Sequence, residues 1–162
     1  MLSLIVVLPF LSALLLAIVY LSDTKANRYA FYTIVGVGIP AIMTLLSLIV
    51  GYQLLNGSDT IHNTLFQWID IGDFNISIAF MADRLSVVMI SFITFIGTLI
   101  HIYAAGYMKE DEGYGKFFAY FNLFMGSMLL LVLADNPIIM FVGWELVGLS
   151  SYLLIGFYHQ ES

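Results

Sequence analysis

Twenty consecutive residues, Leu2 to Leu21, carry no charge at all, and four more apolar runs follow in the chain. At a rise of ~1.5 Å per residue, a helix made from any of these runs crosses a hydrocarbon core of ~30 Å. Backbone N–H and C=O groups find no water at that depth, so the spans must be helices that satisfy their own polar groups. Composition agrees: 61% of residues are hydrophobic and 10% charged, against roughly 25% charged in a soluble domain. The predicted fold class is an all-α integral membrane protein.

The spans are predicted at about 2–21, 30–55, 85–108, 117–134 and 137–158. Gly36, Gly38 and Pro40 lie in the second, where a kink is expected once neighbours satisfy the freed backbone groups. Between the second and third spans the apolar period changes to strict alternation: Phe74, Ile76, Ile78 and Phe80 alternate with Asn75, Ser77 and Ala79. A β-hairpin over about 66–80 is therefore expected, turning at Gly72-Asp73 in a type II′ arrangement. Asp83 is the expected N-cap of the third span, and Asp135 or Asn136 that of the fifth, with Pro137 in its first turn. Lys109 to Lys116 reads as a loop.

Charge distribution gives the orientation. With the N-terminus outside, Lys25, Arg28, Lys109 and Lys116 fall in cytoplasmic loops and Arg84 alone lies outside, as positively charged cytoplasmic loops require. The hairpin is then extracytoplasmic. No basic segment precedes Leu2, which argues for a retained span over a cleaved signal peptide. A net charge of −6 with five scattered Lys and Arg residues excludes a nucleic-acid partner. Without cysteine there is no thiolate chemistry and no Cys-ligated cluster, and the three histidines have no metal-site spacing. No cofactor or metal is expected in this chain, and no cluster of polar groups marks a quinone head-group pocket.

One acid interrupts the last span. Glu145 is the single charge between Pro137 and Tyr158, about 12 Å along the helix from Pro137. An ionised carboxylate at such depth costs on the order of 3 kcal/mol unless it is protonated, hydrated or paired. Phe141, Gly148, Leu149 and Tyr152 share its helical face, and Gly143, Gly148, Ser150, Ser151 and Gly156 are small enough to admit a neighbouring helix and water. The functional reading is a carboxyl that gains and loses a proton as a cation approaches and recedes. Tyr152 is a candidate contact for a water chain. The competing reading is a protonated acid hydrogen-bonded for packing. His101, near the far end of the third span, is a candidate relay or a hydrogen-bonded packing residue.

The stretch Ala134 to Tyr158 closely resembles the fifth-helix segment of the NuoL-type (chain 5, antiporter-like) subunit of respiratory complex I, the proton-pumping NADH:quinone oxidoreductase. The resemblance continues in Gly72–Ile76, Leu99–Ala104 and Glu112–Phe124, and extends over essentially the whole chain. Mrp-type cation/proton antiporter subunits share the motif around Trp144 and Glu145, but Gly143–Leu149 and the loop at Glu112 fit complex I better. The resemblance implies that Glu145 is the family's fifth-helix glutamate, paired with a lysine on the seventh helix, and that His101 is its third-helix histidine. It also implies that the hairpin ties adjacent antiporter-like subunits together.

On that basis residues 1–112 hold the first three helices and the hairpin, and 113–162 open an inverted-repeat half. Other complex I membrane subunits, the lipid bilayer and the remainder of the same subunit are the implied partners, with flavin and iron–sulfur clusters in other chains. The implied setting is a bacterial cytoplasmic (inner) membrane. Family members have well over a dozen helices, so a fragment or one part of a split gene is expected, inactive by itself. The alternatives are part of an Mrp-type Na⁺/H⁺ antiporter, or a membrane-arm segment that serves only as scaffold.

Overall fold

A computed structural model describes residues 2–22, 29–57, 59–107 and 114–157. Five helices run through them: α1 (Leu2–Ser22), α2 (Tyr29–Leu55), α3 (Arg84–Tyr107), α4 (Tyr114–Leu133) and α5 (Pro137–Phe157). All five are long and apolar enough to cross a membrane. Strands β1 (Ile61–Ile71) and β2 (Phe74–Ala82) form one antiparallel hairpin between α2 and α3. The all-α membrane class with an added hairpin therefore holds. Lys25, Arg28 and Lys109, on which the orientation argument leans, lie outside the described residues, as do Met108, the acidic loop Glu110–Glu112, and Tyr158.

α4 is the central post. It packs against α1 and α5 along its length and touches α2 and α3, while α2 lies along α3. At the hairpin end the core gathers Leu2, Ile5, Met43, Val50, Leu129 and Leu133 around Phe80. At the opposite end Leu16, Tyr32, Tyr114 and Phe118 form a second cluster. That cluster explains why α4 starts at Tyr114 and not at the expected residue 117. Tyr114 is buried and its hydroxyl meets Thr33 Oγ1 at 2.5 Å, while Gly115 lies so close to the Tyr32 ring that a side chain would clash.

α2 continues through Pro40. Proline has no N–H to serve the carbonyl four residues back, and that carbonyl, of Gly36, accepts a hydrogen bond from Asn122 Nδ2 of α4 at 3.4 Å. A neighbouring side chain thus replaces part of what proline removed. Asn122 is fully buried and also donates to the Phe118 carbonyl at 2.9 Å.

The hairpin is longer than the expected 66–80, running from Ile61 to Ala82. Pairing steps from Thr64↔Ala79 to Phe66↔Ile78, and from Gln67↔Ser77 to Ile69↔Ile76. Leu65 and Trp68 are thus extra residues on β1. Each bulge shifts the inward-outward alternation by one, which hides the strand's period from the sequence. The turn falls at Gly72 with φ +60°, and no non-glycine residue has positive φ among the described residues. A positive φ at the first central position alone is the type II′ pattern.

The base of the hairpin is stitched to the bundle. Ser3 N–H donates to Asn63 Oδ1 at 2.9 Å, and the Ser3 hydroxyl meets the same oxygen. Phe80 pairs with Ala134 as an isolated antiparallel bridge, and Asp135 N–H donates to the Ala79 carbonyl at 3.2 Å. This bridge ends α4 at Leu133, one residue short of the expected Ala134. On the hairpin itself Leu65, Phe66, Trp68, Ile71 and Phe74 stay exposed.

Candidate functional site: an acid on an open helix face

α5 is launched by Asn136. Its Oδ1 accepts from the N–H groups of Ile138 and Ile139 at 3.1 and 3.0 Å, and its amide donates to the Ser77 carbonyl at 2.8 Å. Pro137 follows at the position where a missing N–H costs nothing. Asp135, the other capping candidate, faces His62 of β1 instead, with Nδ1 to Oδ1 3.9 Å. The cap of α3 is as expected. Asp83 Oδ1 accepts from Ser86 N–H at 2.7 Å and from the Ser86 hydroxyl at 2.8 Å. These bonds favour the carboxylate and hold its pKa below the usual aspartate value.

One side of α5 closes on α4. Ile139, Gly143 and Ser150 are buried there. A Cβ on Gly143 would come within 2.8 Å of the Leu131 backbone nitrogen, so glycine sets how closely the two helices approach. Further along, the hydroxyls of Ser127 and Ser150 lie 3.5 Å apart, each also donating to a carbonyl of its own helix.

Glu145 stands on the other side. At 100° per residue its direction is nearly opposite to those of Gly143 and Ser150, and it is exposed along with Phe141, Trp144, Leu149 and Tyr152. The small residues expected to make room around the acid divide between the two faces. Gly143 and Ser150 serve the α4 contact, whereas Gly148 has open space beside it. Tyr152 is on the acid's face, about 10 Å further along the helix, and is exposed among the described residues.

His101 is not brought to this site. It is fully buried at the α3–α4 contact, its Nδ1–H donating to the Gly97 carbonyl at 2.5 Å and its ring meeting Phe121 edge-on at 4.3 Å. α5 packs on α4 and β2, so α4 stands between the histidine and the acid. Nε2 of His101 and Oδ1 of Asn122 are buried without a hydrogen-bond partner among the described residues. Sequence reading singled out His101 but passed over Asn122, whose buried polarity inside a span was the available signal.

Five membrane-length helices, with a hairpin docked at one end and an acid in mid-span on the last, define a multi-pass membrane protein. A sequence profile described as NADH-Ubiquinone oxidoreductase (complex I), chain 5 N-terminus, matches residues 68–118. Among curated proteins, NADH-quinone oxidoreductase subunit L of Escherichia coli (strain K12) is 44% identical over 99% of this chain and 26% of its own length. The subunit L of Mycobacterium tuberculosis (strain H37Rv) is 52% identical over 63% of this chain and 16% of its own. The chloroplastic NAD(P)H-quinone oxidoreductase subunit 5 of Chlorokybus atmophyticus is 41% identical over 96% and 24%. The chain is homologous to the chain 5, or subunit L, family of complex I, and spans about a quarter of the length of the E. coli protein.

Proposed function

We propose that this chain contributes the membrane-embedded glutamate of a proton channel in a complex I membrane arm, driven by electron transfer in other subunits that hold the flavin and iron–sulfur clusters. The observation that carries the reading is Glu145 itself: a carboxyl in mid-span, on the face of α5 turned away from α4. An acid there needs a cation or water from another helix, and a lysine supplied by the rest of the subunit fits that need. At an effective dielectric near 20, drawing such a pair from 4 Å to 8 Å weakens its attraction by about 2 kcal/mol. That moves a carboxyl pKa by more than one unit, enough to release or capture a proton. Tyr152, on the same face, is a proposed water-chain contact, and His101 a proposed relay on a branch separate from Glu145.

The exposed apolar side chains of the hairpin, Phe66, Trp68, Ile71 and Phe74, support a second part of the proposal. The hairpin docks an adjacent antiporter-like subunit on the outer face of the membrane, with the N-terminus of the chain on that same side. Residues 113–162 begin the inverted-repeat half that carries the channel.

Glu145→Gln keeps shape and hydrogen bonding but removes titration. In the assembled complex we expect NADH:quinone electron transfer to persist in part while the number of protons moved per electron pair falls. Unchanged stoichiometry would assign Glu145 to packing and favour the scaffold reading.

A further inference from the structure

Beside the hairpin, α2 and α3 part to leave a groove of about 480 Å³. Leu48, Tyr52 and Leu55 of α2 and Val88 and Phe92 of α3 line it, all exposed, and Arg84 stands at its mouth. From Arg84 to Phe92 the groove descends about 12 Å, most of the ~15 Å of hydrocarbon in one leaflet. At its floor Val87 packs against Gly51, its Cγ1 3.1 Å from where a Cβ on that glycine would lie. Among the described residues only Arg84 and Lys116 are basic, and they open α3 and α4 at opposite ends of the bundle.

The rim carries both signs of charge. Arg84 Nη2 lies 3.6 Å from Asp59 Oδ1, with both side chains well exposed. A solvent-exposed pair of this kind is weak, so either member is free to take a better partner. A guanidinium offers a planar fork for a phosphate, and a carboxylate a few ångströms away is placed for an ammonium.

We propose that this groove is a binding site for a zwitterionic phospholipid with a primary-amine headgroup. Its phosphate sits on Arg84, its ammonium on Asp59, and one acyl chain lies between Tyr52 and Phe92. An anionic headgroup without the amine loses the Asp59 contact and brings its extra negative charge beside that carboxylate, so the site discriminates by headgroup and not by tail.

The test uses the assembled complex in lipid nanodiscs doped with phosphatidylethanolamine bearing a diazirine in its acyl chain, followed by illumination and peptide mapping. Crosslinks are expected to concentrate on the segments 48–55 and 84–92, several-fold above those on the exposed α1 residues Leu11, Leu14 and Ile18. Arg84→Gln should lower this labelling several-fold, Arg84→Lys should restore part of it, and the matching phosphatidylglycerol probe should label weakly. A native gel confirms that each variant assembles, and a variant that fails to assemble leaves the two-probe comparison in the unaltered complex to decide. The proposal is overturned if both probes label equally, if labelling matches that of α1, or if the segments stay unlabelled because protein covers them.

Discussion

Gly143→Ala isolates the packing of α5 from its chemistry. The added Cβ would lie 2.8 Å from the Leu131 nitrogen and 2.9 Å from its Cα. Both are backbone atoms, so no rotamer change relieves the clash and the helices must part by about half an ångström locally. Overpacking of this kind costs about 1–3 kcal/mol, a five- to 150-fold change in the population of the closed interface. Because the chain has no cysteine, Ser127→Cys with Ser150→Cys gives a clean reporter within it, their hydroxyl oxygens lying 3.5 Å apart. In the assembled complex under mild oxidation the intrachain crosslink should form readily, and adding Gly143→Ala should reduce its yield several-fold. An undiminished yield would refute the argument that Gly143 sets the α4–α5 spacing.

Two other substitutions probe the polar joints. Asn122→Leu removes the amide that serves the Gly36 carbonyl opposite Pro40. It should cost about 1–3 kcal/mol, seen as faster hydrogen exchange in α2 around residue 40. The capping carboxylate of Asp83 has a lowered pKa, so the stability it adds is present above the unfolded value of about 4 and is lost as pH falls through the lower folded value. Asp83→Ala should therefore lose stability at neutral pH, and its deficit against the unaltered chain should shrink on acidification below pH 4. An unchanged deficit, followed by thermal unfolding across that range, would contradict the capping role.

The spans were legible because each is a continuous apolar run bounded by charge or by a turn, a pattern that needs no knowledge of neighbours. The errors fall where distant packing decides. Tyr114 and Gly115 look like loop residues, yet they extend α4 because Tyr32 and Thr33 of α2 wait for them. Leu65 and Trp68 are apolar and strand-like but lie in bulges, so the length of β1 could not be read from its alternation.

Asp135 and Asn136 are equally good caps by residue type, and the choice is made by the hairpin's Ser77 carbonyl, which takes the Asn136 amide. In the site, periodicity identified the companions of Glu145, but α5 is apolar on nearly every side. Helical spacing sets Gly143 opposite Glu145, but nothing local reveals which of the two faces α4 covers, or that α4 separates His101 from the acid.

Asn136 holds the hairpin with its nitrogen and α5 with its oxygen. A load applied to β2 is therefore delivered, through this amide and the neighbouring Asp135 N–H bond to Ala79, to the first turn of α5, about 12 Å from Glu145 along the axis. That joint is short and has little slack. A neighbour that tugged on the strand would tilt the mast from which the carboxylate hangs, with no need to touch it.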